Sequence, residues 1–201
     1  MTINELLELK KAHTTSSPDT YLHKIFRSTK KSSIWEILPD TINNLNYYGS
    51  LCKNVRIFYL GSMNISSNID IEGVELKFYN DSLYYIDCES NSTLEEALKT
   101  KYSDAKIDVK ETPKEYTNGY GNKIIKTDVS YTTSYFKKDN ITLNSYLSKS
   151  FSTYSQDFFY FHKVFFYDGK ITEIISKQEA IVKARIEKRK EENKKKIFAD
   201  F

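Results

Sequence analysis

The chain has 201 residues, 30 Lys/Arg against 27 Asp/Glu for a net charge of +3, and only 6 Gly and 3 Pro. That length fits one domain, and the shortage of Gly and Pro excludes a disordered or low-complexity chain. The charge is uneven: residues 177–201 hold nine Lys/Arg against five Asp/Glu, while the rest hold 21 against 22, a neutral body unlike a dedicated nucleic-acid binder.

Thr2 and Glu5 have the T-x-x-E spacing of a capping box, and Ile3, Leu6 and Leu7 share a helical face, so a helix is predicted over 3–12. Tyr21, Leu22, Ile25 and Phe26 predict a second helix at 19–27, and "IWEILPD" is a short apolar element, strand or helical turn, stopped by Pro39. From residue 54 the period changes to two. Strands are expected at 55–60, 74–79 and 83–87, the last two joined by an "NDS" hairpin turn. "NSTLEEALKTKY" reads as a helix near 92–102, capped by Ser92, with Glu95 and Glu96 in its first turn and Lys99 and Lys101 in its last. A strand near 105–110 leads to a polar loop holding Pro113, Gly119 and Gly121. Then "KIIKTDVSYTTSYF" and "ITLNSYLSKSF" alternate as two long strands around "KKDN".

The segment 157–167 is aromatic on both strand faces, which points to a strand covered on both sides, core and not a stacking platform. "YDGK" reads as an Asp-Gly hairpin turn with "ITEII" returning beside it and a long helix from Ser176. "FYNDSLYYI" (78–86) also aligns without a gap to "FYDGKITEI" (166–174), a faint echo of a duplicated hairpin-plus-helix unit. The expected fold is α+β: an antiparallel, meander-like β-sheet with helices packed on one face, a short helical N-terminus and a long basic C-terminal helix. Its divisions are a helical region over 1–50, a β-rich core over 51–176 and the helix over 177–201.

Chemistry-bearing patterns are sparse. His13, His23 and His162 have no Cys or carboxylate at ligand spacing, and no H-E-x-x-H, C-x-x-C or Gly-rich phosphate loop occurs, so no metal or cofactor is expected. Cys52 and Cys88 are too few for a disulfide framework; both flank predicted strands, so they read as two reduced side chains, with a single bridge between them as the alternative. A Cys-His or carboxylate enzyme would need His23 or His162 to meet Cys52, Cys88 or an acid in space. The surface residues best suited to a partner are Tyr131, Tyr135, Tyr146 and Tyr154, which lie among Ser, Thr and Lys on the long strands. The sequence therefore points to a non-catalytic binding module whose partner is another protein, met on the Tyr-bearing sheet face or a sheet edge. The alternatives are that enzyme and nucleic-acid association through Arg185, Lys188 and Arg189 of the basic helix. No window of about 18 apolar residues encodes a membrane span. "MTINELLELKKAH" lacks the layout of an export signal, so a cytoplasmic location is the expectation unless Met1 replaces a removed signal.

Overall fold

The structure is a computed structural model that describes residues 1–9, 12–15, 34–37, 50–66, 68–152 and 154–199; for 7–9, 12–15 and 196–199 it describes the backbone alone. The predicted helix at 19–27, with His23, lies outside the described residues. In chain order the elements are α1 (Ile3–Leu9), β1 (Ala12–Thr15), β2 (Ile34–Ile37), β3 (Val55–Ser66), β4 (Ile69–Tyr79), β5 (Ser82–Glu89) and α2 (Ser92–Lys101). They continue with β6 (Lys106–Thr117), β7 (Lys123–Lys138), β8 (Ile141–Ser152), β9 (Asp157–Asp168) and α3 (Gly169–Ala199). The fold is α+β. Its strand order is β1-β2-β3-β4-β5-β9-β8-β7-β6, with β1 parallel to β2 and an antiparallel meander beyond. The chain divides into two compact units: Met1–Ser62, Glu75–Ile86 and Asp168–Phe201 form the first, and Met63–Val74 with Asp87–Tyr167 the second.

In the first unit the capping box forms as its spacing requires. The Thr2 amide donates to Glu5 Oε2 at 2.7 Å, and the Glu5 amide donates to Thr2 Oγ1 at 3.3 Å. Ile3 and Leu6 are then buried on one face. The undecided "IWEI" is a strand, pairing Ile34–Ile37 with Leu60–Ile57 of β3. Ile37, Cys52, Val55, Ile57, Tyr59, Tyr84 and Ile175 form a core cluster, with Trp35, Tyr85 and Ile171 packed against it. The hairpin between β4 and β5 turns at Asn80 and Asp81, whose φ angles of 47° and 63° are those of a two-residue turn matched to strand twist.

The "YDGK" hairpin is not formed. Asp168 instead caps α3: its Oδ1 accepts from the amides of Lys170 at 2.9 Å and Ile171 at 3.0 Å. An Asp before Gly serves a helix start as well as a turn, and Ile171, Ile174 and Ile175 fall at helical spacing. The helix therefore begins seven residues earlier than Ser176, and the echo between 78–86 and 166–174 pairs a hairpin with a helix start. The early turns of α3 are fastened to the 50–52 segment. Glu179 Oε1 accepts from Ser50 Oγ at 2.5 Å and the Leu51 amide at 3.1 Å, and Gln178 Oε1 accepts from Cys52 Sγ at 2.7 Å.

In the second unit the cap of α2 is Asn91 and not Ser92. Asn91 has extended backbone, and its Oδ1 accepts from the Leu94 amide at 2.9 Å, while Ser92 is already helical. β6 runs straight through Pro113 to Thr117, where a loop was expected. It is the last strand in the sheet order, and an edge strand tolerates the missing Pro N–H.

Candidate interaction surface

The strand ladders of the second unit set its side chains in rows. Val109, Tyr131 and Leu147 are cross-strand partners on β6, β7 and β8; so are Ile107, Thr133 and Ser145, and Glu111, Val129 and Lys149. Cross-strand partners share a face. That face is open to solvent at Ile107 (65% exposed), Val109 (50%), Tyr131 (39%) and Ile125 (71%). The opposite face carries Asp108, Thr132 and Tyr146 in one row and Lys110, Ser130 and Ser148 in the next. It forms an open groove of about 440 Å³ bordered also by Asp128 and Lys114. There Lys114 Nζ donates to Asp128 Oδ2 at 2.5 Å, and the Phe151 amide donates to Asp128 Oδ1 at 3.1 Å. The hydrogen bond to Lys114 leads the causes that hold the Asp128 carboxyl below its ordinary value, and the same bond raises Lys114.

Helix α2 packs on this part of the sheet, where it carries a polar anchor. Glu95 of α2 accepts from Ser90 Oγ at 2.9 Å, Ser145 Oγ at 2.8 Å and the Tyr135 hydroxyl, and its Oε1 lies 3.1 Å from His162 Nε2. Burial pushes the Glu95 carboxyl upward, but the hydrogen bonds from Tyr135, Ser145 and Ser90, with the nearby His162, outweigh it and hold the group below its ordinary value. Burial, then Glu95, raises the Tyr135 phenol. His162 thus meets an acid and a hydroxyl, as an enzyme site would need. A Ser-His-acid relay uses the two ring nitrogens separately. Here Ser145 Oγ, 2.9 Å away, and Glu95 address the same Nε2, and Ser145 is only 2% exposed. This arrangement fastens a helix and presents no accessible nucleophile. Cys88 is no better suited: burial pushes its thiol up to about 11, away from thiolate character. Cys52 and Cys88 are both free and buried. Among the described residues no group of His, Cys, Asp and Glu could hold a metal ion.

The four tyrosines singled out in the sequence do not form one surface. Tyr131 lies on the apolar face and Tyr146 on the groove face. Tyr135 is buried beside α2, its hydroxyl donating to Glu95, at the point where the ladder is irregular between Ser134 and Phe136. Tyr154 stands 99% exposed in the turn between β8 and β9. Arg185, Lys188 and Arg189 are all exposed on α3, with Lys188 Nζ 4.0 Å from Glu192. His13 lies on β1, of which the backbone alone is described.

The aromatic strand is the main correction. Within β9 the buried side chain is Val164; Phe159, Tyr160 and Phe161 are 54%, 65% and 43% exposed. The reason is cover. On the His162 side, which Tyr160 shares, the ten residues of α2 span roughly 15 Å against about 40 Å for the twelve of β9, and Phe159 and Phe161 alternate onto the other side of the strand. The displayed aliphatics Ile107, Val109 and Ile125 were missed in the sequence. Their alternation with Lys, Asp and Glu in "KIDVKE" reads as a half-buried strand, and nothing local says that the apolar half stays open.

Comparison with known proteins gives no match: no family, no curated protein and no solved structure aligns with the chain. Among the described residues no helix is long and apolar enough to cross a membrane.

Proposed function

We propose that the chain is a non-catalytic binding module whose partner, another protein, docks on the apolar face of β6, β7 and β8. The observation that carries this reading is the row Val109–Tyr131–Leu147, with Ile107 and Ile125 on the same face and open to solvent. A contiguous exposed apolar patch on a sheet marks an interaction surface more often than chance. Tyr131 adds a rigid ring and a polar hydroxyl at low entropic cost. The face is a better dock than the edge, because Pro113 in the middle of β6 lacks the N–H that an added strand would bond.

The test is capture from lysate, with and without nuclease, by immobilised full-length protein, beside the double variant Val109→Ser/Tyr131→Ser. The expected result is a protein partner that the double variant loses by tenfold or more. Retention by that variant, together with loss in Arg185→Gln/Lys188→Gln/Arg189→Gln and sensitivity to nuclease, would transfer the function to the basic helix. These point changes are preferable to truncation at 176, which would remove Gln178 and Glu179 from the 50–52 segment.

A further inference from the structure

A different region of the second unit carries a second surface. The antiparallel ladders bring the turn from β6 to β7 and the turn from β8 to β9 to the same end of the sheet. Each presents a tyrosine to solvent: Tyr120 is 91% and Tyr154 99% exposed. The first turn is firmly built. Asn118 Oδ1 accepts from the amides of Tyr120 at 3.0 Å and Asn122 at 2.9 Å, and Gly121 supplies a φ of 80°. Behind the turns, Phe151 meets both Tyr116 and Phe158 edge to face, with centroids 5.4 Å apart in each of the two pairs. Lysines lie on these rings. Lys126 Nζ is 5.3 Å from the Phe151 centroid, and Lys149 Nζ is 4.4 Å from Phe158 and 5.9 Å from Tyr160.

The geometry points to this end of the sheet as a site that seats in the headgroup region of an anionic lipid bilayer. The decisive feature is that the exposed rings surround the end and do not share one face. Phe159 alternates with Tyr160, so β9 displays rings on both sides near this end, and the two turn tyrosines project beyond the strands. A folded protein partner would cover one side and leave the other wet; a fluid interface covers all of them. Tyrosine is suited to that interface because its ring is apolar and its hydroxyl is wet. Lysine stems laid along rings, with the ammonium reaching outward, give the same division. Two of the local acids are paired with other lysines: Glu115 lies 2.8 Å from Lys123, and Asp128 is paired with Lys114. Lys126 and Lys149 are left facing the bilayer charge, and anionic lipid attracts such lysines. Binding of this kind is shallow and reversible and needs no spanning segment.

The test uses full-length protein and sedimenting vesicles of phosphatidylcholine with or without a quarter phosphatidylserine. Wild type is expected to co-sediment with the anionic vesicles. Tyr120→Ser/Tyr154→Ser, changed only at exposed turn positions, is expected to lose at least tenfold in vesicle affinity while keeping its circular dichroism spectrum. In Tyr154→Trp, emission should shift to the blue on adding vesicles and be quenched by brominated lipid, above the background of Trp35. Val109→Ser/Tyr131→Ser should bind vesicles as wild type does, which separates this site from the protein-docking face. Wild type remaining in the supernatant with both vesicles would overturn the inference. So would binding that survives the double turn variant and disappears in Arg185→Gln/Lys188→Gln/Arg189→Gln, which would assign lipid binding to α3.

Discussion

The first unit encloses most of its large apolar side chains, whereas the second buries some and displays many. Phe58, Phe78, Leu6, Ile34 and Leu76 of the first are fully buried, Phe58 and Phe78 meeting edge to face at 5.6 Å. Apart from Met1, Ile174 and Ile181, every large hydrophobic side chain exposed among the described residues belongs to the second unit. The means of attachment differ as well. In the first unit α3 combines Ile171 and Ile175 in an apolar cluster with the bonds of Gln178 and Glu179 to the 50–52 segment, whereas α2 of the second has one buried apolar side chain, Leu94, beside a carboxylate with Ser, Tyr and His partners. Apolar burial is non-directional and sums with area, which suits a stability core. A hydrogen-bonded carboxylate fixes one helix in one place and leaves neighbouring sheet surface free for other uses. One unit is built as a scaffold and the other as a display.

The same truncation should therefore have opposite consequences in the two units, and this is the largest effect expected. Phe58→Ala removes a fully buried ring and should cost about 3–5 kcal/mol in urea denaturation followed by circular dichroism. Phe159→Ala removes a ring that is 54% exposed and should stay within about 0.5 kcal/mol of wild type. Equal losses at the two positions would break the comparison, because Phe159 would then be part of a core. Next in size is the polar anchor. Glu95→Gln gives up charge-assisted hydrogen bonds at a mostly buried carboxylate and should cost about 1–3 kcal/mol. The Glu95 carboxyl is held below its ordinary value in the folded chain. Its contribution is thus complete above the unfolded carboxyl pKa of about 4.3 and is lost as pH falls through the lower folded value. Wild type minus variant should accordingly be constant near neutrality and shrink in acid. A difference that grows on acidification would mean that the carboxylate is not the anchoring species.

These two cases also mark how far the sequence could be read. Local signals succeeded where one short-range interaction decides the outcome: the Thr2–Glu5 capping box, the Asn80–Asp81 hairpin and the alternation of β7 and β8. Asp168-Gly169 failed because a single local signal serves both a hairpin and a helix start, and the apolar spacing of Ile171, Ile174 and Ile175 had to arbitrate. Tyr135 failed because the helix that covers it, through Glu95, comes from a distant stretch of chain, and no residue near Tyr135 announces that cover. The aromatic strand failed in the opposite sense. Alternation says which side chains share a face, but whether that face is covered depends on the length and placement of another element. The sheet face was legible as a class of surface, then, while its contents were not: Ile107, Val109 and Ile125 take the place of Tyr135 and Tyr146 beside Tyr131.

An open apolar face is hazardous beside a free strand edge, since both invite self-association. β6 ends the strand order and is exposed along most of its twelve residues, yet its sequence is unfavourable for adding another strand. Lys106, Lys110, Glu111, Lys114 and Glu115 distribute charge along it, and Pro113 sits opposite Thr127 in the middle of the ladder. Pro113→Val would restore an N–H and add a β-branched side chain. Both favour a strand, so folding stability should change by less than about 1 kcal/mol. The effect should appear instead as concentration-dependent association in light scattering, with wild type unchanged over the same range. If Pro113→Val behaves as wild type, the charges alone close the edge, and Lys110→Val in the same background should then open it. If neither variant associates, the edge is not what confines contacts to the face, and the preference for face over edge docking loses its physical basis.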